Sequence, residues 1–311
     1  MAVEVLHPGM ATMLQDSGRY RWQHLGVPVC GAMDRFSHQL ANALVGNGED
    51  TATLEITLLG PRLRFLRRAV VVLTGADLSP QLDDQAVEMQ RPFVVPAGGI
   101  LSFGQRRQGA RCYLAIKGGF LIPDSMGSQS TCHAGQFGGL SGRNLQKGDC
   151  LTFGWPLHNI SNLRVPLSVP NIFPIADQTI NFIAGKHWNM LTELAQTHFL
   201  TQLFRISPQS DRMGYRLDGE YLALREPINM YSEPVSSGTI QLPADGMPII
   251  LMADSQTTGG YPKIGHVTST DMSLLAQSLP GMSFRFRQVS LHSAQSQAQK
   301  RRNWIAQITA H

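Results

Sequence analysis

Residues 248–263 read Pro-Ile-Ile-Leu-Met-Ala-Asp-Ser-Gln-Thr-Thr-Gly-Gly-Tyr-Pro-Lys. Ile249 to Met252 is an apolar run with the length of a buried strand. It delivers the chain to Asp254, and every residue from there to Pro262 is polar, small or turn-forming. Short apolar runs of this kind, punctuated by Gly, Pro and Asp, recur along the chain. Candidate strands are Val3–Leu6, Leu54–Leu58, Leu63–Phe65, Val70–Thr74, Val87–Met89, Phe93–Val95, Ile100–Phe103, Cys112–Ile116 and Cys150–Phe153. A second series follows at Thr179–Ile183, Leu203–Ile206, Arg216–Asp218, Thr239–Leu242, Ile249–Met252, Ile264–Thr268 and Ser283–Gln288. Their regular spacing predicts a mainly β protein built as a barrel or sandwich.

Helices are few. Asp34 to Val45 carries Phe36, Leu40, Ala41 and Leu44 on one face, with Asp34 as N-cap and Gly46-Asn47-Gly48 as the stop. Peripheral helices are expected over 187–198, 270–278 and 291–308, the last docking through Trp304, Ile305 and Ile308. Pro156, Pro166, Pro170 and Pro174 mark 156–178 as a linker. It would separate a β-rich N-terminal lobe over 1–155 from a β-rich C-terminal lobe over 179–311 that includes the last helix.

The chain has 311 residues, of which 42% are hydrophobic and only 15% charged, with 30 Gly and 18 Pro; this fits a turn-rich globular protein and reads poorly as disorder. Low charge also hints at surface covered by a partner protein. The net charge of +4 is scattered rather than clustered, and no nucleic-acid motif accompanies it. Cys30, Cys112, Cys132 and Cys150 show no Cys-x-x-Cys spacing, and neither a leader nor a membrane-length apolar run is present, so the expectation is a cytoplasmic protein with free thiols. The sequence lacks a Gly-x4-Gly-Lys-Ser/Thr loop, a Gly-x-Gly-x-x-Gly turn, His-Glu-x-x-His, Gly-x-Ser-x-Gly and a biotin-attachment lysine. No metal and no covalently bound cofactor is therefore expected.

Four polar, glycine-bearing segments remain. In Asp254–Lys263, Asp254 can act as acid, base or anchor, or simply pair with Lys263. Gln256, Thr257 and Thr258 offer short donors and acceptors, Gly259-Gly260 permits close backbone approach, and Tyr261 can close over a ligand. In Arg212-Met-Gly-Tyr-Arg216, two cations and the Tyr215 phenol surround a tight turn. In Leu14-Gln-Asp-Ser-Gly-Arg19, Arg19 either grips a carboxylate or pairs with Asp16. Finally, Lys117-Gly-Gly, Gly127–Thr131 and Gly138–Arg143 carry enough glycine for an anion nest or for loops between strands.

Ordered matches run over nearly the whole chain. They include Leu14-Gln-Asp-x-Gly-Arg19, Gly31-Ala-Met-Asp34, Asn42-x-Leu-Val-Gly-Asn47, Leu54-Glu-Ile-Thr57, Leu73-Thr-Gly-Ala76 and Gly127-Ser-x-Ser-Thr131. Arg212-Met-Gly-Tyr-Arg-Leu217, Ser232-Glu233 and Gln256-Thr-Thr-Gly-Gly-Tyr-Pro262 continue the series. Together they resemble the biotin-dependent carboxyltransferase family, also called allophanate hydrolase subunit 2-like or KipA-type, whose bacterial members include the 5-oxoprolinase C subunit. The resemblance implies cyclophilin-like β-barrel lobes. It also implies a KipI-like partner (the 5-oxoprolinase B subunit), a separate A subunit, and an assembly that uses ATP to open the lactam of 5-oxoproline to glutamate.

Two alternatives come with the resemblance. One is carboxyl transfer from carboxybiotin on a separate carrier to a urea-like amide. The other is a non-catalytic regulator that binds a KipI-like protein. In the hydrolase reading, Asp254 orients or deprotonates the amide nitrogen or a water, while Gln256, Thr257, Thr258, Gly259 and Gly260 receive the oxyanion. Arg212 and Arg216 hold an anion, with Lys263, Arg19 and Lys117 as further binding residues and Tyr215 and Tyr261 packing the pocket. Asp211 stands where many relatives have Asn.

Overall fold

The computed structural model describes residues 2–154, 178–226, 228 and 230–309. Two compact units emerge. Residues 2–19, 30–154 and 302–309 form the first, and 20–29 with the described residues of 178–301 form the second. The linker expected over 156–178 lies outside the described residues except for Gln178.

The first unit contains β1 (Val3–His7), β2 (Ala11–Gln15), α1 (Arg35–Val45), β3 (Thr53–Thr57), β4 (Arg62–Phe65), β5 (Ala69–Asp77) and β6 (Pro80–Leu82). It continues with β7 (Gln85–Ala86), β8 (Phe93–Val95), β9 (Ile100–Phe103), β10 (Gln108–Ile116) and β11 (Cys150–Leu151). One antiparallel sheet has the order β11-β1-β4-β9-β6-β7 and the other β2-β3-β10-β5-β8. The two sheets share a core of Val3, Val5, Leu63 and Phe65 against Leu54, Val71, Leu73 and Leu114. On the opposite face of the second sheet, Val72, Tyr113 and Ala115 pack with Phe36, Leu40 and Leu44 of α1. Because successive residues of β5 and β10 feed different cores, these strands read as continuous apolar runs rather than alternating ones. Asp34 caps α1 by accepting from the Ser37 amide at 3.1 Å, and Gly46 ends it in the left-handed region (φ 72°).

Some strand readings change. The sequence predicts a strand at Val87–Met89, but the chain pairs earlier, through β7. Asp83 (φ 48°) and Asp84 (φ 64°) make a two-residue turn that sets Leu82 opposite Gln85, so Val87 stands at the end of the ladder, its amide donating to the Pro80 carbonyl at 3.1 Å. β2 escapes pattern reading because Thr12 and Gln15 are as buried as Leu14, which removes the alternation.

The second unit consists of β12 (Gln178–Ala184), α2 (Glu193–Thr201), β13 (Phe204–Ile206), β14 (Gly214–Asp218), β15 (Glu233–Pro234), β16 (Thr239–Gln241) and β17 (Ile249–Leu251). β18 (Thr258–Gly259), β19 (Lys263–Val267), α3 (Met272–Ala276), β20 (Ser283–Gln288) and α4 (Leu291–Thr309) complete it, the end of α4 belonging to the first unit. Seven strands close a barrel in the order β12-β19-β16-β17-β14-β13-β20. All its pairs are antiparallel except the closing pair, β12 with β20, which is parallel. Phe182, Phe199, Phe204 and Phe286 are buried together, with Phe199 of α2 stacked on Phe286 at a centroid distance of 4.2 Å. Trp304, Ile305 and Ile308 of α4 pack on the α1 core of the first unit. No helix among the described residues is long and apolar enough to cross a membrane.

Candidate functional site

The barrel unit brings two of the polar segments together. β14 and β17 pair with Gly214 opposite Leu251, and the ladder is prolonged by Met252 donating to the Met213 carbonyl and Asp254 to the Arg212 carbonyl. This register sets Arg212 beside Asp254. The guanidinium donates through Nε to Oδ2 at 2.8 Å and through its NH2 group to Oδ1 at 2.9 Å. Only 13% of the Arg212 side chain and 9% of the Asp254 side chain are exposed. Both Asp254 oxygens are engaged, so its carboxylate is an anchor for the polar loop rather than a free base. Asp211 accepts from the Met213 and Gly214 amides, a turn that Asn could make equally well.

From Asp254 the loop travels to the opposite rim of the barrel, where Lys263 opens β19 facing Gln241. Lys263 does not meet Asp254. Its Nζ donates to Glu233 at 2.6 Å, and Lys186 donates to the other oxygen at 3.1 Å. Lys263 first and Lys186 second hold the Glu233 carboxyl down at about 2. Two lysines thus share one carboxylate. The Lys263 amide donates to His187 Nδ1 at 2.9 Å, which places any proton of the neutral ring on Nε2. Burial, then Lys186, lowers the pKa of His187, so the ring stays neutral at pH 7.

Between the rims, Thr258–Gly259 pairs with Glu233–Pro234 as a separate two-stranded ribbon. Gln256 and Thr258 are exposed, and Thr257 accepts from the Val235 amide at 3.0 Å. Gly260, Tyr261 and Pro262 line a cleft of about 550 Å³ together with Tyr221, Leu224, Met230, Leu242 and Pro243. Tyr261 is half-exposed over it. Tyr215 is buried in the barrel wall and does not reach the cleft, while Arg216, its neighbour on the strand, is exposed.

The two remaining segments belong to the first unit. Arg19 is fully buried. It donates to the carbonyls of Ser125 and Ser130 at 2.8 and 2.9 Å, and its guanidinium lies 4.7 Å from the Phe137 ring centre. Asp16 accepts from Gly18 N, Ser128 Oγ and Gln129 N at 2.8, 2.8 and 2.6 Å, and also from Ser130 Oγ. The nest formed by Gly127–Thr131 is therefore filled by this chain's own carboxylate. A Cβ on Gly138 (φ 71°) would stand 2.2 Å from the Ser130 carbonyl oxygen and 2.8 Å from the Arg19 NH2 group, so glycine is required there. Arg143 makes a fork with Asp149 at 2.7 and 2.9 Å. Lys117 is half-buried after β10, in a turn held by Asn47, which donates to the Ile116 carbonyl and accepts from the Gly118 amide.

A profile of the carboxyltransferase domain, subdomain A and B, matches residues 25–288. The chain belongs to this family. Among its relatives, the 5-oxoprolinase C subunit of Haemophilus influenzae is 35% identical over 306 residues, covering 98% of this chain and 97% of that protein. The Escherichia coli 5-oxoprolinase C subunit is 34% identical over 307 residues with the same coverage. Among solved structures, the urea carboxylase of Kluyveromyces lactis superposes with a TM-score of 0.90 at 31% identity, covering 99% of this carboxyltransferase-domain chain but 29% of that longer protein. The K. lactis urea amidolyase matches with the same score and identity, over 20% of its length.

Three residues that the barrel places around this candidate site have no role in the sequence reading. Glu233 was visible within Ser232-Glu233 but carried no role. His187 lay in a segment read as helix. Gln241 is a buried amide inside the apolar strand Thr239-Ile-Gln-Leu242, and a polar residue at such a position was the one available signal.

Proposed function

We propose that this chain is one component of a heteromeric, ATP-dependent 5-oxoprolinase that opens the lactam of 5-oxoproline to glutamate in the cytoplasm. Its partners would be a KipI-like B subunit and an A subunit. The observation that carries this reading is the end-to-end similarity to the 5-oxoprolinase C subunit, 35% over 98% of this chain and 97% of the relative. The barrel site supports it chemically. Lys186 and Lys263 share a single carboxylate and leave a cationic excess suited to the substrate's carboxylate. Gln256, Thr257, Thr258 and the Gly259-Gly260 backbone offer donors for an amide oxygen, and Tyr261 flanks a cleft large enough for a five-membered ring. Asp254, clamped by Arg212, orients this loop. In a reconstituted assay with the cognate A and B subunits, ATP-dependent glutamate release should require this chain. Release at the same rate without it would overturn the proposal.

A second reading, carboxyl transfer to a urea-like amide, is favoured by the match to the urea carboxylase structure at a TM-score of 0.90. Avidin separates the two. It would inhibit a reaction that depends on a biotin carrier and leave the oxoprolinase untouched.

A further inference from the structure

Gln241 ends β16 with its side chain almost completely buried, at 1% exposure, and its Nε2 has no hydrogen-bond partner among the described residues. An unpaired buried amide donor destabilises a fold, because it gives up its bonds to water without replacement. Its surroundings single it out. In the β16–β19 pairing Gln241 faces Lys263, which bonds Glu233, and Glu233 in turn faces Gly259 in the ribbon. A Cβ on Gly259 would stand 2.3 Å from Nε2, so the amide lies directly against the glycine backbone. The donor is aimed at the segment where the chain is richest in short polar residues.

We propose that Gln241 is a ligand-binding residue whose Nε2 donates to the carbonyl or carboxylate oxygen of a small planar ligand, admitted when the Thr258–Gly259 segment lifts from the amide. The ribbon has only two residues in each strand, so few hydrogen bonds oppose that movement. With no side chain on Gly259, a small displacement leaves room for an oxygen atom. Lys263 and Lys186, with one carboxylate between them, favour an oxygen that carries negative charge. The donor role follows from this geometry; only the choice of 5-oxoproline as the natural ligand rests on the function proposed above.

The test uses the full chain labelled with 15N, with the Gln241 side-chain NH2 signals assigned by their loss in Gln241→Met. Four probes are titrated separately: 2-pyrrolidinone (a lactam without a carboxylate), acetate, urea and 5-oxoproline. At least one probe should shift the Gln241 NH2 signals saturably. Gln241→Met should weaken that probe about tenfold, read from the amides of 256–260, with an unchanged or higher Tm, since replacing an unpaired polar group by an apolar one of similar shape is neutral or stabilising. Gln241→Glu, which keeps the shape but presents a carboxylate, should weaken it at least as much. Gln241 signals unmoved by all four probes would overturn the proposal. So would Gln241→Met lowering the Tm while leaving the titrations intact, because that is the behaviour of a residue with a purely structural role. A response to 2-pyrrolidinone, acetate or urea but not to 5-oxoproline would uphold the donor and count against the oxoprolinase reading.

Discussion

Removing one partner of the Arg212–Asp254 clamp should destabilise the barrel unit far more than a surface ion pair would. The carboxylate receives two charge-assisted bonds at 2.8 and 2.9 Å, and both side chains are nearly withdrawn from water. Loss of a single partner from such a pair costs about 3–5 kcal/mol. The rim position, where 13% of Arg212 still meets solvent, puts Asp254→Ala at the lower end, about 3 kcal/mol. With a urea m-value of about 2 kcal/mol/M, the midpoint should fall by about 1.5 M. Arg212→Met should cost a similar amount. The double variant should cost clearly less than the sum, with a coupling of about 2 kcal/mol in a double-mutant cycle. Arg212→Lys keeps the charge but not the planar fork and should restore only part of that coupling. Urea unfolding followed by fluorescence and circular dichroism measures all four proteins. Additive single effects, with a coupling under about 0.5 kcal/mol, would refute the clamp. The stability measurement also has to precede any kinetic one, since loss of turnover in a partly unfolded Asp254→Ala protein would not bear on catalysis.

His38 is buried with Nδ1 2.9 Å from Thr53 Oγ1, and burial lowers its pKa from 6.5 to about 4. The unfolded chain therefore binds the proton first. Stability is complete above pH 6.5 and declines as the pH falls towards 4, by about 2 kcal/mol at pH 5; His38→Gln should lack that decline in urea melts at pH 7 and pH 5. Glu233 titrates near 2, so what it contributes is present above about 4.5 and lost as the pH falls through 2. Lys263→Met should raise the Glu233 midpoint, followed by carboxyl 13C NMR, more than Lys186→Met does. Equal shifts would contradict the shorter Lys263 contact.

Much of this protein was legible locally. The cap and stop of α1 are written in Asp34 and Gly46, and Trp304, Ile305 and Ile308 announced the docking of α4. The β-rich class followed from apolar runs of strand length, and polar loops stood out where no core required them. Short-range chemistry decides such features, so nearby residues suffice to read them. Partnership did not follow in the same way. Arg212 and Asp254 are 42 residues apart and meet only because β14 and β17 pair with Gly214 opposite Leu251. Lys263, a reasonable partner for Asp254 on paper, is carried to the other rim of the barrel and given to Glu233. Arg19, read as a grip for a carboxylate or a mate for Asp16, is buried against carbonyls, while serines and amides 112–114 residues away take the Asp16 charge. Burial of Gln241 beneath Gly259 likewise emerges only once the ribbon and the barrel are both built. The sequence determined which side chains could carry charge, cap helices or line loops. The tertiary structure alone decided which of them meet, because strand register and barrel closure bring together groups that are distant along the chain.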